Sequence, residues 1–160
     1  MMNSELKRFG KGFVYAWNGI RAAVREERNF RFHLCAAVFV YLAAAWAEIT
    51  AVETALLTIC VFLVMAMELM NSAVERAVDK PDTSHWWSAG AAKDMAAGAV
   101  LAAAVGSCVV AVCVFASGDR PGLLWRKMTA GPVRPLCLLA LLLAAAWFIF
   151  RSPNQQQKGQ

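Results

Sequence analysis

Four stretches of this chain carry almost no charge: residues 32–47, 54–67, 89–116 and 134–150. A backbone crossing hydrocarbon must satisfy every peptide N–H and C=O internally, so such stretches have to be helical. Crossing takes roughly 20 apolar residues, with a range of about 17–25. The second stretch reaches that length by running straight on into Glu68–Asp79, with no Gly or Pro before Pro81. The first reaches it with Asn29, Phe30 and Arg31 at the interface. A hydrophobic content of 59%, above the about 45–50% of soluble domains, agrees with lipid-facing surface.

The sequence therefore predicts an all-α integral membrane protein, with spans at about 29–47, 54–78 and 89–116. A loop or broken helix at 117–133 follows, holding Gly118, Pro121, Gly122, Gly131 and Pro132. Next come a fourth apolar helix at 134–150 and a disordered tail at 151–160. Before the first span, Leu6, Phe9, Phe13, Ala16, Trp17, Ile20 and Val24 recur at helical spacing among basic residues. That pattern predicts an amphipathic surface helix over about 5–27.

Charge orients these elements. Lys7, Arg8, Lys11, Arg21, Arg25 and Arg28 precede the first span without the continuous apolar core of a leader. They place the N-terminus in the cytoplasm, and residues 48–53, which lack Lys and Arg, on the far side. Three spans then put 117–133 on the far side too, against its Arg120, Arg126 and Lys127 and the flanking Arg134. Either the last stretch is interfacial or re-entrant, or the earlier helices set the topology. The net charge of +5 comes with no recognition motif for nucleic acid and reads as attraction to an anionic membrane surface. The five cysteines lie in apolar runs without C-x-x-C spacing and read as small buried hydrophobes.

The second span carries the chemistry. Glu68, Asn71, Ser72, Glu75 and Asp79 follow one another by three and four residues. They share a helix face of about 100°, with Glu68 and Glu75 about 10 Å apart along the axis. Ionisable side chains inside a membrane are costly and mark function. Two carboxylates and an amide suit a hard cation such as Mg²⁺, which commonly bridges one or two carboxylates to substrate phosphates. Lys93 and Asp94 open the third span, and Glu26 and Glu27 end the surface helix. A lysine can stabilise phosphate charge, and a carboxylate can take a proton from a hydroxyl. Phosphate-loop and soluble-kinase motifs are absent. A proton or cation relay would need polar groups through the bilayer midplane, but these gather at one helix end. A small scaffold that uses the carboxylates for register would not need Lys93. Gly90, Asp94, Gly98, Ala102 and Gly106, four apart, form a small-residue seam suited to close helix contact.

At these residues the chain resembles the prokaryotic diacylglycerol kinase family, which includes the undecaprenol kinases. Glu68-Leu-Met-Asn71-Ser-Ala-Val-Glu75-Arg-Ala-Val-Asp79 matches the signature E-x-x-N-[ST]-A-x-E-x-x-V-D. Ala92-Lys93-Asp94-Met95 follows at the expected distance, and Tyr15-Ala-Trp17-Asn-Gly19 and Glu27-Arg-Asn-Phe30-Arg31 fit upstream. The resemblance covers about residues 8–116. It implies a homotrimer in the bacterial inner (cytoplasmic) membrane, with sites between subunits on the cytoplasmic side, transferring phosphate from ATP with Mg²⁺ to a lipid alcohol. It implies Glu68 as catalytic base, Glu27 and Glu75 as metal carboxylates, and Arg8, Tyr15, Glu27, Asn71, Glu75, Lys93 and Asp94 around ATP. Asn29, Phe30, Arg31, Phe32, His33, Trp46, Ala47, Glu48 and Ile49 would lie along the lipid, with Glu68. The family usually has a His seven residues before the Lys of its Lys-Asp pair, but here Trp86 holds that place and His85 is eight before Lys93. Asn29–His33 and Ala96–Val100 look closer to the undecaprenol kinase branch. The extension after Ser117 is not needed by a three-span core.

Overall fold

The computed structural model describes residues 2–79 and 87–151. Six helices follow in order: α1 Met2–Glu26, α2 Arg28–Ala47, α3 Ala51–Val78, α4 Trp87–Phe115, α5 Arg120–Thr129 and α6 Val133–Phe150. No strand occurs among the described residues. Four helices, α2, α3, α4 from Ala89, and α6, are long and apolar enough to cross a membrane. His85, Trp86 and the tail beyond Arg151 fall outside the described residues.

Helix α3 packs most extensively on α4, and α2 lies against α3, α5 and α6. Helix α1 packs on α2 and α3 less extensively than those helices pack on each other. It leaves Phe9, Phe13, Tyr15 and Trp17 exposed, as an amphipathic helix on a membrane surface would. The buried core is small: Ala44, Leu57 and Val114, with Val40, Ile49, Val110, Ala111 and Phe115 packed around them. It closes the end of the bundle opposite Glu68. The seam Gly90, Asp94, Gly98, Ala102 and Gly106 is exposed in the single chain. A Cβ added at Gly90, Gly98 or Gly106 meets nothing within 4 Å.

The turn between α2 and α3 has a local cause. Thr50 caps α3 in a reciprocal box with Glu53, satisfying two otherwise orphaned donors. Glu48 caps α2 in the left-handed region (φ 52°).

The 117–133 segment contains a helix, α5, where sequence composition points to a loop or broken helix. Gly118 (φ 57°) and Gly131 (φ 71°) supply the left-handed turns on either side. Its charges explain the conflict with the orientation rule. The Arg120 guanidinium forks onto both Glu53 carboxylate oxygens at 2.6 and 2.8 Å. Lys127 reaches Glu48 at 2.5 Å, and Arg126 reaches Asp119 at 3.3 Å. Three of the four cations in and beside the segment are thus neutralised locally. Helix α6 runs back along α2 and ends beside Arg31, which donates to the Ile149 carbonyl at 3.0 Å. By length and composition it is able to cross a membrane.

Candidate active site

The polar end of the bundle is built on the last turns of α3. Its apolar spacing continues unbroken into the carboxylate stripe, so the helix carries those side chains inward with it. Glu68 is 3% exposed, and Asn71 and Ser72 are 8% exposed each. Asn71 donates from Nδ2 to Glu75 Oε1 at 2.9 Å. Asn71 Oδ1 is buried with no partner among the described residues. A buried amide oxygen left unsatisfied costs free energy, and here it is an acceptor beside a carboxylate, the donor chemistry a hard cation uses.

The elbow between α1 and α2 supplies the facing wall. Glu27 is the single residue between the two helices and the N-cap of α2, with an extended backbone (φ −97°, ψ 114°). Arg76 Nη2 on α3 donates to Glu26 Oε2 and to Glu27 Oε1, both at 2.9 Å. Glu27 and Glu75 both lie close enough to Glu68 for their charges to bear on it. Glu68, Asn71 and Glu75 share one face of α3, and Arg76 ties Glu27 to the same turns of that helix. No group of three or more His, Cys, Asp and Glu among the described residues forms a ready-made metal cage. The set fits a Mg²⁺ whose remaining ligands come from phosphate and water, with Glu27 and Glu75 to hold it.

Other residues singled out in the sequence stand apart. Lys93 pairs with Asp79 in a short contact, and Asp79 lies about 16 Å along α3 from Glu68. Asp94 is exposed. Tyr15 is 70% exposed, about 18 Å down α1 from Glu27. Arg8, further out, pairs with Glu5 at 3.3 Å. Lys93 thus sits one turn past Glu75 but well short of Glu68, and Tyr15 and Arg8 lie out along α1.

The proposed acceptor residues divide between the two ends of α2. Asn29 is exposed and Phe30 buried. Phe32 and His33 line an apolar cavity of 310 Å³ between α2, α3 and α4, whose wall includes Val64, one turn before Glu68. Arg31 is buried and directs its donors to helix carbonyls. Trp46, Ala47, Glu48 and Ile49 are at the far end, where Ile49 packs on the core and Glu48 on Lys127. Sequence reasoning gave no role to Arg76, which gathers Glu26 and Glu27. Its place beside Glu75 was visible, but its partners are 49 and 50 residues away.

A membrane-spanning helical bundle with a buried carboxylate at one end, near a short apolar cavity, defines a small integral membrane lipid kinase once related sequences are set beside it. A sequence model described as "Prokaryotic diacylglycerol kinase" matches residues 14–115. The chain belongs to the prokaryotic diacylglycerol kinase family. It is 40% identical over 112 residues to an undecaprenol kinase of Bacillus subtilis, covering 70% of this chain and 91% of that protein. It is 36% identical over 105 residues to a diacylglycerol kinase of Escherichia coli, covering 66% and 85%. A diacylglycerol kinase of Synechocystis is 42% identical over 104 residues, 64% of this chain and 59% of that protein. Helices α5 and α6 lie beyond the family match.

Proposed function

We propose that this protein transfers the γ-phosphate of Mg-ATP to the hydroxyl of a membrane lipid, undecaprenol in preference to diacylglycerol. The observation that carries the reading is Glu68, almost wholly enclosed at the polar end of α3, one turn from the apolar cavity. A lipid alcohol whose chain lies in that cavity presents its hydroxyl at Glu68, which takes the proton as the oxygen attacks phosphorus. Glu27 and Glu75 would hold the magnesium, which offsets charge on the phosphates. Asn71 orients Glu75 through its 2.9 Å bond. Arg76 holds Glu26 and Glu27 toward α3.

Arg8, Tyr15, Lys93 and Asp94 complete the nucleotide site from a neighbouring subunit of a homotrimer. Two features support that arrangement: their distance from Glu68 within one chain, and the uncovered seam on α4. The protein then acts at the inner membrane, in recycling of envelope or phospholipid carriers, with its site facing cytoplasmic ATP. The preference for undecaprenol rests on Asn29–His33 and on the B. subtilis relative.

The test is purified protein with labelled ATP, magnesium and equal amounts of undecaprenol and diacylglycerol. Labelled undecaprenyl phosphate as the main product is expected. Label mainly in phosphatidic acid reverses the preference, and no labelled lipid refutes the kinase reading.

A further inference from the structure

Arg31 is the most enclosed large side chain of the protein, at 2% exposure, and among the described residues it has no carboxylate partner. Its fork goes to backbone instead. Nη1 donates to the Arg25 carbonyl at 3.0 Å and the Val24 carbonyl at 3.4 Å, in the last turn of α1. Nε and Nη2 donate to the Ile149 carbonyl at 3.3 and 3.0 Å, and Nη2 to Arg151 at 3.4 Å, at the end of α6. Last-turn carbonyls have no partner within their own helix, and they carry the negative end of the helix dipole. One guanidinium thus neutralises two helix C-termini at once. A lysine, with a single compact ammonium, cannot serve both.

This arrangement has a direct bearing on the elbow. The chain turns at Glu27 with no Gly or Pro to break it, and the carbonyls that the turn releases are those that Arg31 takes. Glu26 and Glu27 follow at once and reach Arg76 beside Glu75. Helix α6 packs along α2 and against α5, and α5 is itself tied to the α2–α3 turn by Arg120 to Glu53 and Lys127 to Glu48. That packing seats the end of α6 beside Arg31.

We infer that Arg31 is a positioning residue through which the last turn of α6 sets the α1–α2 elbow, so that the C-terminal extension tunes the site's hold on metal–nucleotide. The nucleotide part rests on the proposed role of Glu27, whereas the mechanical link does not. The full-length protein tests both. Arg31→Lys removes the bridge. Ile149→Pro leaves Arg31 intact but bends the last turn of α6, because the ring clashes with the carbonyl four residues earlier.

Each variant is expected to speed hydrogen exchange at the Glu27 and Arg31 amides, which bond Ala23 and Glu27, by about tenfold. Each is expected to raise KM for Mg-ATP by about five- to tenfold, and in Ile149→Pro, which leaves the lipid-facing residues intact, kcat stays within about twofold. The double variant is expected to match the larger single effect, since both break one link. Unchanged elbow exchange in Ile149→Pro, or effects that multiply in the double variant, overturns the link. Faster exchange with unmoved KM overturns the tuning. If Ile149→Pro does not assemble, a chain ending at Phe148 lacks the Ile149 and Arg151 carbonyls that Arg31 takes. Wild-type exchange at the elbow in that variant likewise overturns the proposal. If the unmodified protein phosphorylates no lipid, the kinase reading fails, and the exchange data still decide the link.

Discussion

At Glu68 the proposed chemistry reduces to one proton. The side chain is enclosed near Glu27 and Glu75, so it is well placed to accept a proton from a lipid hydroxyl and is shielded from bulk water. Glu68→Gln keeps the shape and removes the acceptor. Turnover is expected to fall by about 10²–10⁴, with assembly and nucleotide binding retained. Near wild-type phosphorylation of lipid by this variant would sink the assignment. Glu27→Gln and Glu75→Gln each remove a carboxylate assigned to the cation. Both are expected to raise KM for Mg-ATP, with added magnesium restoring part of the activity in at least one. A magnesium titration that leaves both variants where they started argues against the metal role. Glu68 and Glu75 were legible from spacing alone, because position on a helix face is local. The unsatisfied Asn71 Oδ1 was not, because burial depends on what packs against the helix.

Helix α5 and the turn it covers make a separable electrostatic unit. Lys127 hydrogen-bonds to Glu48 and holds that carboxyl below its ordinary range. A carboxyl with a depressed folded-state pKa binds fewer protons folded than unfolded. Its contribution is therefore present above the ordinary value of 4.5 and is lost as pH falls through the depressed one. Protease cleavage within 117–133 is expected to rise below about pH 4.5, less so in Lys127→Gln, where that pair is already gone. The same pH profile in both proteins would exclude this pair as a cause. On α4, small residues occupy an exposed face where added side chains meet nothing within the chain. Gly98→Leu is expected to leave the subunit folded and to shift the proposed trimer to monomer in detergent, read by light scattering. An unaltered trimer would move the subunit contact elsewhere.

For the whole molecule, the division of the site matters most. Glu68, Asn71 and Glu75 share one face of α3, with Glu27 tied beside it through Arg76, while Arg8 and Tyr15 lie out along α1 and Lys93 pairs with Asp79, one turn past Glu75 and about 16 Å along α3 from Glu68. Co-assembled Glu68→Gln and Lys93→Ala subunits, each inactive alone, are expected to recover part of the wild-type rate, because some interfaces combine two intact halves. Verified mixed trimers with no recovery would place both residues in one subunit's site. The extension adds a fourth helix beside this core without contributing a signature residue, and its ties run to Arg31, Glu48 and Glu53.

Apolar length, helical spacing and the charge of each segment are properties of neighbouring residues. They determined the membrane-spanning class, the surface helix, the four apolar helices and the carboxylate stripe on the second of the four. Pairings across the bundle have no such local trace. Arg31 and Ile149 are 118 residues apart, and Arg120 and Glu53 are 67 apart. Nothing in either neighbourhood names the partner. The basic 117–133 segment shows the difference most plainly. By sequence its cations oppose their placement, since a count of charges treats each as free. Only the packing of α5 over the α2–α3 turn brings Glu48 and Glu53 to them, because a charge's energy is set by its nearest opposite charge and by the water that the contact excludes.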